Sequence, residues 1–421
     1  MAEIIEEREQ ASSYRWVVMG LWIFCSVSSF MVVSTLGIML PAISTDLSLS
    51  PGQQGMLASS AFWGNFALAI PLSWWTSRYG PKTLTTVTLV LGTGFLFLQG
   101  FASTFLVLLA GRVAFGIVVI ARQPARAILT QQWFHPREVV LVNSISNALF
   151  GLVVGGGLVA SPFILASLGD DWKATLQSFG GLFVVLSILW MALGRNRTDS
   201  RQRAAQVSQE EPNETGVVWG TLRYRDLWVG GLGFLGATLG WSAFLSFFPT
   251  LMLEEYGLSL AWSGAMMAVT ILVGGIAGLG FSYAVMVTDR GKEILQILGV
   301  VMAATYVGMA LTGSIPLLMV LSLVNGIAWG FWPILYTVPF HLPAIRPRQV
   351  AVGLAFTTMM TSAGIALGPL ITGFLQDGVG GLRPALIIVS FTGLSLTAAG
   401  AILPRRFTDQ PLPQPAAEPT G

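Results

Sequence analysis

Between Tyr14 and Pro404 the chain returns repeatedly to apolar runs separated by short polar breaks. Each run has the roughly 20 residues that a helix needs to cross a hydrocarbon core. Twelve can be counted. Within a bilayer each backbone amide must find its partner inside its own segment or in a closed barrel, and runs this long and continuously apolar select the helix. The expected fold class is therefore all-α integral membrane. Composition agrees: of 421 residues only 10% are charged and 53% are hydrophobic, against about 25% charged in soluble domains. The 48 glycines suit a bundle in which small residues let backbones approach closely. A single cysteine, Cys25, excludes an internal disulfide and reads as a small buried hydrophobe. The opening MAEIIEEREQASS is acidic and polar, so no cleaved signal peptide is expected and the first helix directs insertion.

Charge is distributed unevenly. With both termini cytoplasmic, 19 of the 22 Lys and Arg fall on the cytoplasmic side. Lys173 and Arg383 remain outside, and Arg112 lies within the membrane. The positive-inside rule then fixes the orientation and supports an even number of spans, and the plasma (inner) membrane is the expected location. No nucleic-acid partner is implied. The sequence offers no metal cluster, no phosphate-cradling glycine loop beside a strand and no nucleophile constellation, so neither an enzyme nor a cofactor is expected.

Four regions follow. Residues 1–194 carry six spans, 195–225 form a polar cytoplasmic linker, 226–404 carry six more, and 405–421 are a cytoplasmic tail. Helix one is expected from Tyr14 to Leu40 and to stop at Pro41. Helix two, Met56 to Trp75, holds Asn65, an amide that needs a partner in so apolar a run. Helix four begins at Phe105, and Pro124 bends it or ends its apolar part. Arg122 and Arg126 are expected to snorkel to headgroups. The second half repeats the first: GRVAFG (Gly111 to Gly116) matches NGIAWG (Asn325 to Gly330), and GLVASP (Gly157 to Pro162) matches GIALGP (Gly364 to Pro369). Internal repeats of this kind build many transporters, with the solute site near the midplane.

At these residues the chain resembles the major facilitator superfamily over nearly its whole length. The family's loop signature between spans two and three, G-x-x-x-D-R-x-G-R-K, reads here S-W-W-T-S-R-Y-G-P-K. Arg78, Gly80 and Lys82 are kept, while Ser77 replaces the aspartate, which implies a different latch. Asp289, Arg290, Gly291 and Lys292 form a shorter second copy. Arg112 with Gly116 fits the fourth-span signature R-x-x-x-G, and Gly157, Ser161 and Pro162 approximate the fifth-span one. WFHPRE (Trp133 to Glu138) and WKATL (Trp172 to Leu176) resemble landmarks flanking span five. The resemblance implies two pseudo-symmetric six-helix bundles that rock about a central site lined by helices one, four, seven and ten. Glycine-rich helices five and eleven, with Gly157, Pro162, Gly364, Gly368 and Pro369, would be the sliding contact.

The residues that this arrangement offers a solute are Arg112, Asn65, Asn147, Trp241, Phe244, Asn325, Trp329, Trp332 and Tyr336. An arginine in the membrane is costly unless it meets a partner, water or ligand, and a guanidinium grips carboxylates while never losing its proton. No Asp or Glu stands well inside a span, which disfavours a buried carboxylate relay. The expected function is thus a secondary carrier, monomeric, for a small organic anion such as a carboxylate, with a coupling proton or counter-anion. An exporter of apolar drugs and a non-transporting receptor of the same fold are the alternatives.

Overall fold

The protein is described by a computed structural model over residues 13–64, 68, 75–76, 79–134, 138–195, 214–288, 290–343, 345 and 347–404. Among these residues there is no strand. Eleven helices are long and apolar enough to span a membrane. Helix one is Tyr14–Ser34 continued by Leu36–Leu47, and helices three to six are Pro81–Gly100, Phe105–Thr130, Leu141–Ser167 and Trp172–Leu193. Helices seven to twelve are Arg225–Tyr256, Leu260–Thr288, Gly291–Leu311, Ile315–His341, Val352–Val379 and Leu382–Ile402. Helix two, Pro51–Ser59 followed by the 3-10 turn Ser60–Phe62, completes the twelve of an integral membrane bundle. Asn65, Arg78 and Asp289 lie outside the described residues, as do most of the expected linker and the tail after Pro404. Glu214–Leu222, inside the expected linker, is helical.

Local chemistry sets the helix ends. Ser50 caps helix two, accepting from Gln53 N while Gln53 Oε1 accepts from Ser50 N at 2.9 Å, the reciprocal box that satisfies two orphan donors. Asp171 caps helix six through Lys173 N at 2.8 Å. Gly257, at φ +63°, closes helix seven in the left-handed region that glycine enters freely. Pro41 does not stop helix one. It sits inside Leu36–Leu47, because neighbouring helices in a membrane bundle can accommodate the amide that proline lacks. Pro124 acts as expected: helix four breaks at Arg122 and restarts at Gln123. Helix ten breaks at the corresponding place, at Thr337 before Pro339, and once earlier at Trp329–Phe331.

The end at which helix one starts and helix twelve finishes is here the base, and the opposite end the roof. The first six helices meet the last six at the roof. Gly37 of helix one lies on the Leu245 carbonyl of helix seven, and Gly264 of helix eight on the Leu158 carbonyl and Pro162 of helix five. Gly55 and Gly373 bring helices two and eleven together, with the Pro369 carbonyl 2.5 Å from where a Cβ on Gly55 would stand. No real side chain tolerates such distances, so glycine is obligatory for the closed roof.

The glycines expected to slide between halves are used otherwise. Gly157 packs on Met31 of helix one, and Gly364 and Gly368 pack on helix seven at the Leu235 and Leu239 carbonyls. Each lies within its own half, in matching positions. Gly116 and Gly330 match too, the first against Ala61 of helix two and the second against Ala277 of helix eight. Ion pairs repeat the symmetry at the roof: Lys173 binds Asp46 at 2.9 Å, tying helix six to helix one, and Arg383 binds Glu255, tying helix twelve to helix seven. At the base, Arg15 grips Glu138 with two bonds of 3.0 and 2.9 Å, and Phe134 packs edge-on to Trp16. Trp133, Phe134 and Glu138 thus clamp the start of helix one. Gly80 and Arg290 are the N-caps of helices three and nine, and the Lys82 carbonyl accepts from Trp190 Nε1 of helix six at 3.2 Å.

Candidate functional site

Helix four turns three arginines inward, and they have different surroundings. Arg112 is 2% exposed, and its Nε and Nη2 have no hydrogen-bond partner. It stands one turn from Gly116, whose face meets helix two, so in this conformation no solute reaches it. Arg122 does not snorkel. It is 1% exposed and donates from Nε to Thr88 Oγ1 at 3.1 Å, and from Nη1 to the Cys25 carbonyl at 3.0 Å and Ser29 Oγ at 3.3 Å. The break at Pro124 redirects the chain, so Arg122 lies inside the first half, joining helices one, three and four.

Arg126 is the arginine at the opening. Half-buried, it donates from Nη2 to Asn143 Oδ1 of helix five at 2.8 Å, and Tyr336 of helix ten lies within electrostatic reach across the gap between halves. Asn147 is exposed one turn beyond Asn143. Both amides lie opposite the lipid-facing Leu141, Leu152 and Phe163 at 100° per residue, so their exposure is to the interior opening. On helix ten, Trp332 and Tyr336 are 38% and 39% exposed on the side away from Val320, Leu323 and Ile327. Near the base, the side chains left half-buried or exposed are thus Arg126, Asn143 and Asn147 of the first half and Trp332 and Tyr336 of the second.

The remaining expected residues lie deeper. Trp332 packs edge-on to Phe234 at 5.0 Å, and Trp329 lies 5.7 Å from Trp241. Trp241 is half-buried and lines a small cavity under the roof with Ser34, Ser242 and Ser246. Phe244 is a correction: it is buried and stacked on Tyr306 at 4.3 Å. Asn325 is another, since it is fully buried and its Nδ2 donates to Thr305 Oγ1 of helix nine at 2.8 Å. Both belong to the packing between helices seven, nine and ten, where Thr305 takes the Asn325 amide N–H and the Tyr306 ring takes the face of Phe244. Sequence reading assigned Arg126 to the headgroups and passed over Asn143, which holds it. The available signal was the pair of amides Asn143 and Asn147 at four-residue spacing on helix five.

Chemically, Asn143 holds the Arg126 guanidinium in place and leaves its other N–H groups free for a carboxylate. Asn147 and Tyr336 can exchange hydrogen bonds with hydroxyls, and Trp332 offers a flat apolar face. No group of His, Cys, Asp or Glu that could hold a metal occurs among the described residues.

Comparison with known proteins agrees with this architecture. The chain is similar to the probable galactarate/D-glucarate transporter GarP of Escherichia coli (strain K12), 23% identical over 93% of this chain and 95% of that one. It is equally similar, at 23% over 98% and 93%, to the probable L-galactonate transporter of the same organism. Among solved structures, a bacterial homolog of the human lysosomal transporter Spinster superposes with a TM-score of 0.69 at 17% identity, covering 93% of this chain and 95% of that one. The sequence profile described as Major Facilitator Superfamily matches residues 22–346, and the chain belongs to that superfamily.

Proposed function

We propose that this membrane protein is a secondary carrier of small organic acids, bound as anions at Arg126. One observation carries the reading: a half-buried guanidinium near the base end of helix four is held by the neutral amide of Asn143. Relatives named for galactarate/D-glucarate and L-galactonate support it. Residues 1–194 and 226–404 act as two rigid halves, each stapled at the roof by its own ion pair, and rock about this site. The base faces the cytoplasm in a plasma membrane, as the basic residues there favour, and the closed roof makes this the inward-open state. The carrier works as a monomer.

A thermal-shift screen tests the reading directly. A ligand at one hundred times its Kd stabilises the folded form by about 2.7 kcal/mol, so D-glucarate, D-glucuronate or succinate raises the melting temperature while glucose leaves it unchanged. Equal stabilisation by glucose, or stabilisation by lipophilic compounds alone, contradicts an anion site.

A further inference from the structure

Among the described residues, no acidic side chain pairs with an arginine of helix four. Between Asp46 and Asp170 the sequence contains one acid, Glu138, and both its oxygens accept from Arg15 at the base. The second half has none from Tyr256 to Thr288 or from Ile294 to Gln376. The only histidines, His135 and His341, follow helix four and close helix ten. The partners of Arg122 are a carbonyl and two hydroxyls, and its Nη2 has none. Arg126 meets a neutral amide.

Alternating access requires the base to close as the roof opens, which removes water from around Arg126. A bound anion compensates the guanidinium during that passage. Without one, the guanidinium keeps only the neutral Asn143 and its charge, which it cannot shed, stays uncompensated. A membrane-embedded carboxylate could pair with it on the empty return, and this sequence supplies none. We infer that the protein is an obligatory anion exchanger, in which the empty carrier does not reorient and each inward passage is matched by an outward one. The inference rests on the anion reading of Arg126 given above.

Proteoliposomes test it with whichever of D-glucarate, D-glucuronate or succinate gives the largest thermal shift. Labelled acid enters vesicles preloaded with the unlabelled acid about a hundredfold faster than empty vesicles, which corresponds to about 2.7 kcal/mol at 1.36 kcal/mol per decade. An inward proton gradient does not raise uptake into empty vesicles. Asn143→Asp, which sets a carboxylate against Arg126, lowers the ratio of preloaded to empty uptake by about tenfold or more. Binding with equal uptake into empty and preloaded vesicles, or accumulation driven by the proton gradient, overturns exchange alone. Absence of both binding and uptake overturns the anion reading and exchange with it.

Discussion

Arg126→Gln lowers organic-acid uptake by about two orders of magnitude, and Arg126→Lys by about tenfold. Glutamine keeps a donor toward Asn143 but loses the charge. A hydrogen bond to a charged partner contributes about 1.5–3 kcal/mol, and at 1.36 kcal/mol per decade the upper end is roughly 150-fold. Lysine restores the charge without the planar fork that holds a carboxylate at two points, so it recovers part of the loss. Initial rates in preloaded proteoliposomes measure both. Wild-type rates for Arg126→Gln would remove Arg126 from the site. The fold should survive either change, because Arg126 is half-buried at an opening, whereas Arg122 is bonded to two neighbouring helices.

The second large effect is conformational. Gly37→Val holds the roof open, because the new Cβ would overlap the Leu245 carbonyl of the other half. Leu245 is buried within helix seven, so its backbone cannot give way. Overpacking of this kind costs about 1–3 kcal/mol, and only in the state whose roof is closed. A bias of about 3 kcal/mol shifts the two-state balance roughly 150-fold, while a differential cost is all that is needed to move the population. Ser246, beside that contact and lining the cavity beneath the roof, reports the change. In purified protein, a Ser246→Cys reporter reacts with a hydrophilic maleimide much faster when Gly37→Val is present. The native Cys25 is buried and adds little background. Gly20→Val on the same helix meets nothing within 4 Å and leaves labelling unchanged. Equal labelling in all three backgrounds would show that the Gly37 seam does not govern the roof.

How far these features were legible in the sequence depends on the length scale of the force behind each. Twelve spans follow from hydropathy alone, because lipid acts on every residue of a segment at once. The repeat was legible at Gly116 and Gly330, which proved to press on helices two and eight in matching places. The partners of Gly157, Gly364 and Gly368 were not legible, because a glycine records that something approaches closely and not which helix does so. The arginines show the same limit. Hydropathy put Arg112 within the membrane and Arg122 and Arg126 at the headgroups, but the restart of helix four at Gln123 decides which of them reaches water. Asn325 read as a cavity amide until Thr305, twenty residues earlier, proved to hold it.

The solute's meeting with Arg126 rather than Arg112 is tested most directly by calorimetric titration of the preferred organic acid into three purified proteins. Binding to Arg126→Gln is about a hundredfold weaker than to the wild type, and binding to Arg112→Gln stays within about threefold, a difference of some 0.6 kcal/mol. The reverse pattern, with Arg112→Gln abolishing binding and Arg126→Gln sparing it, would contradict the account.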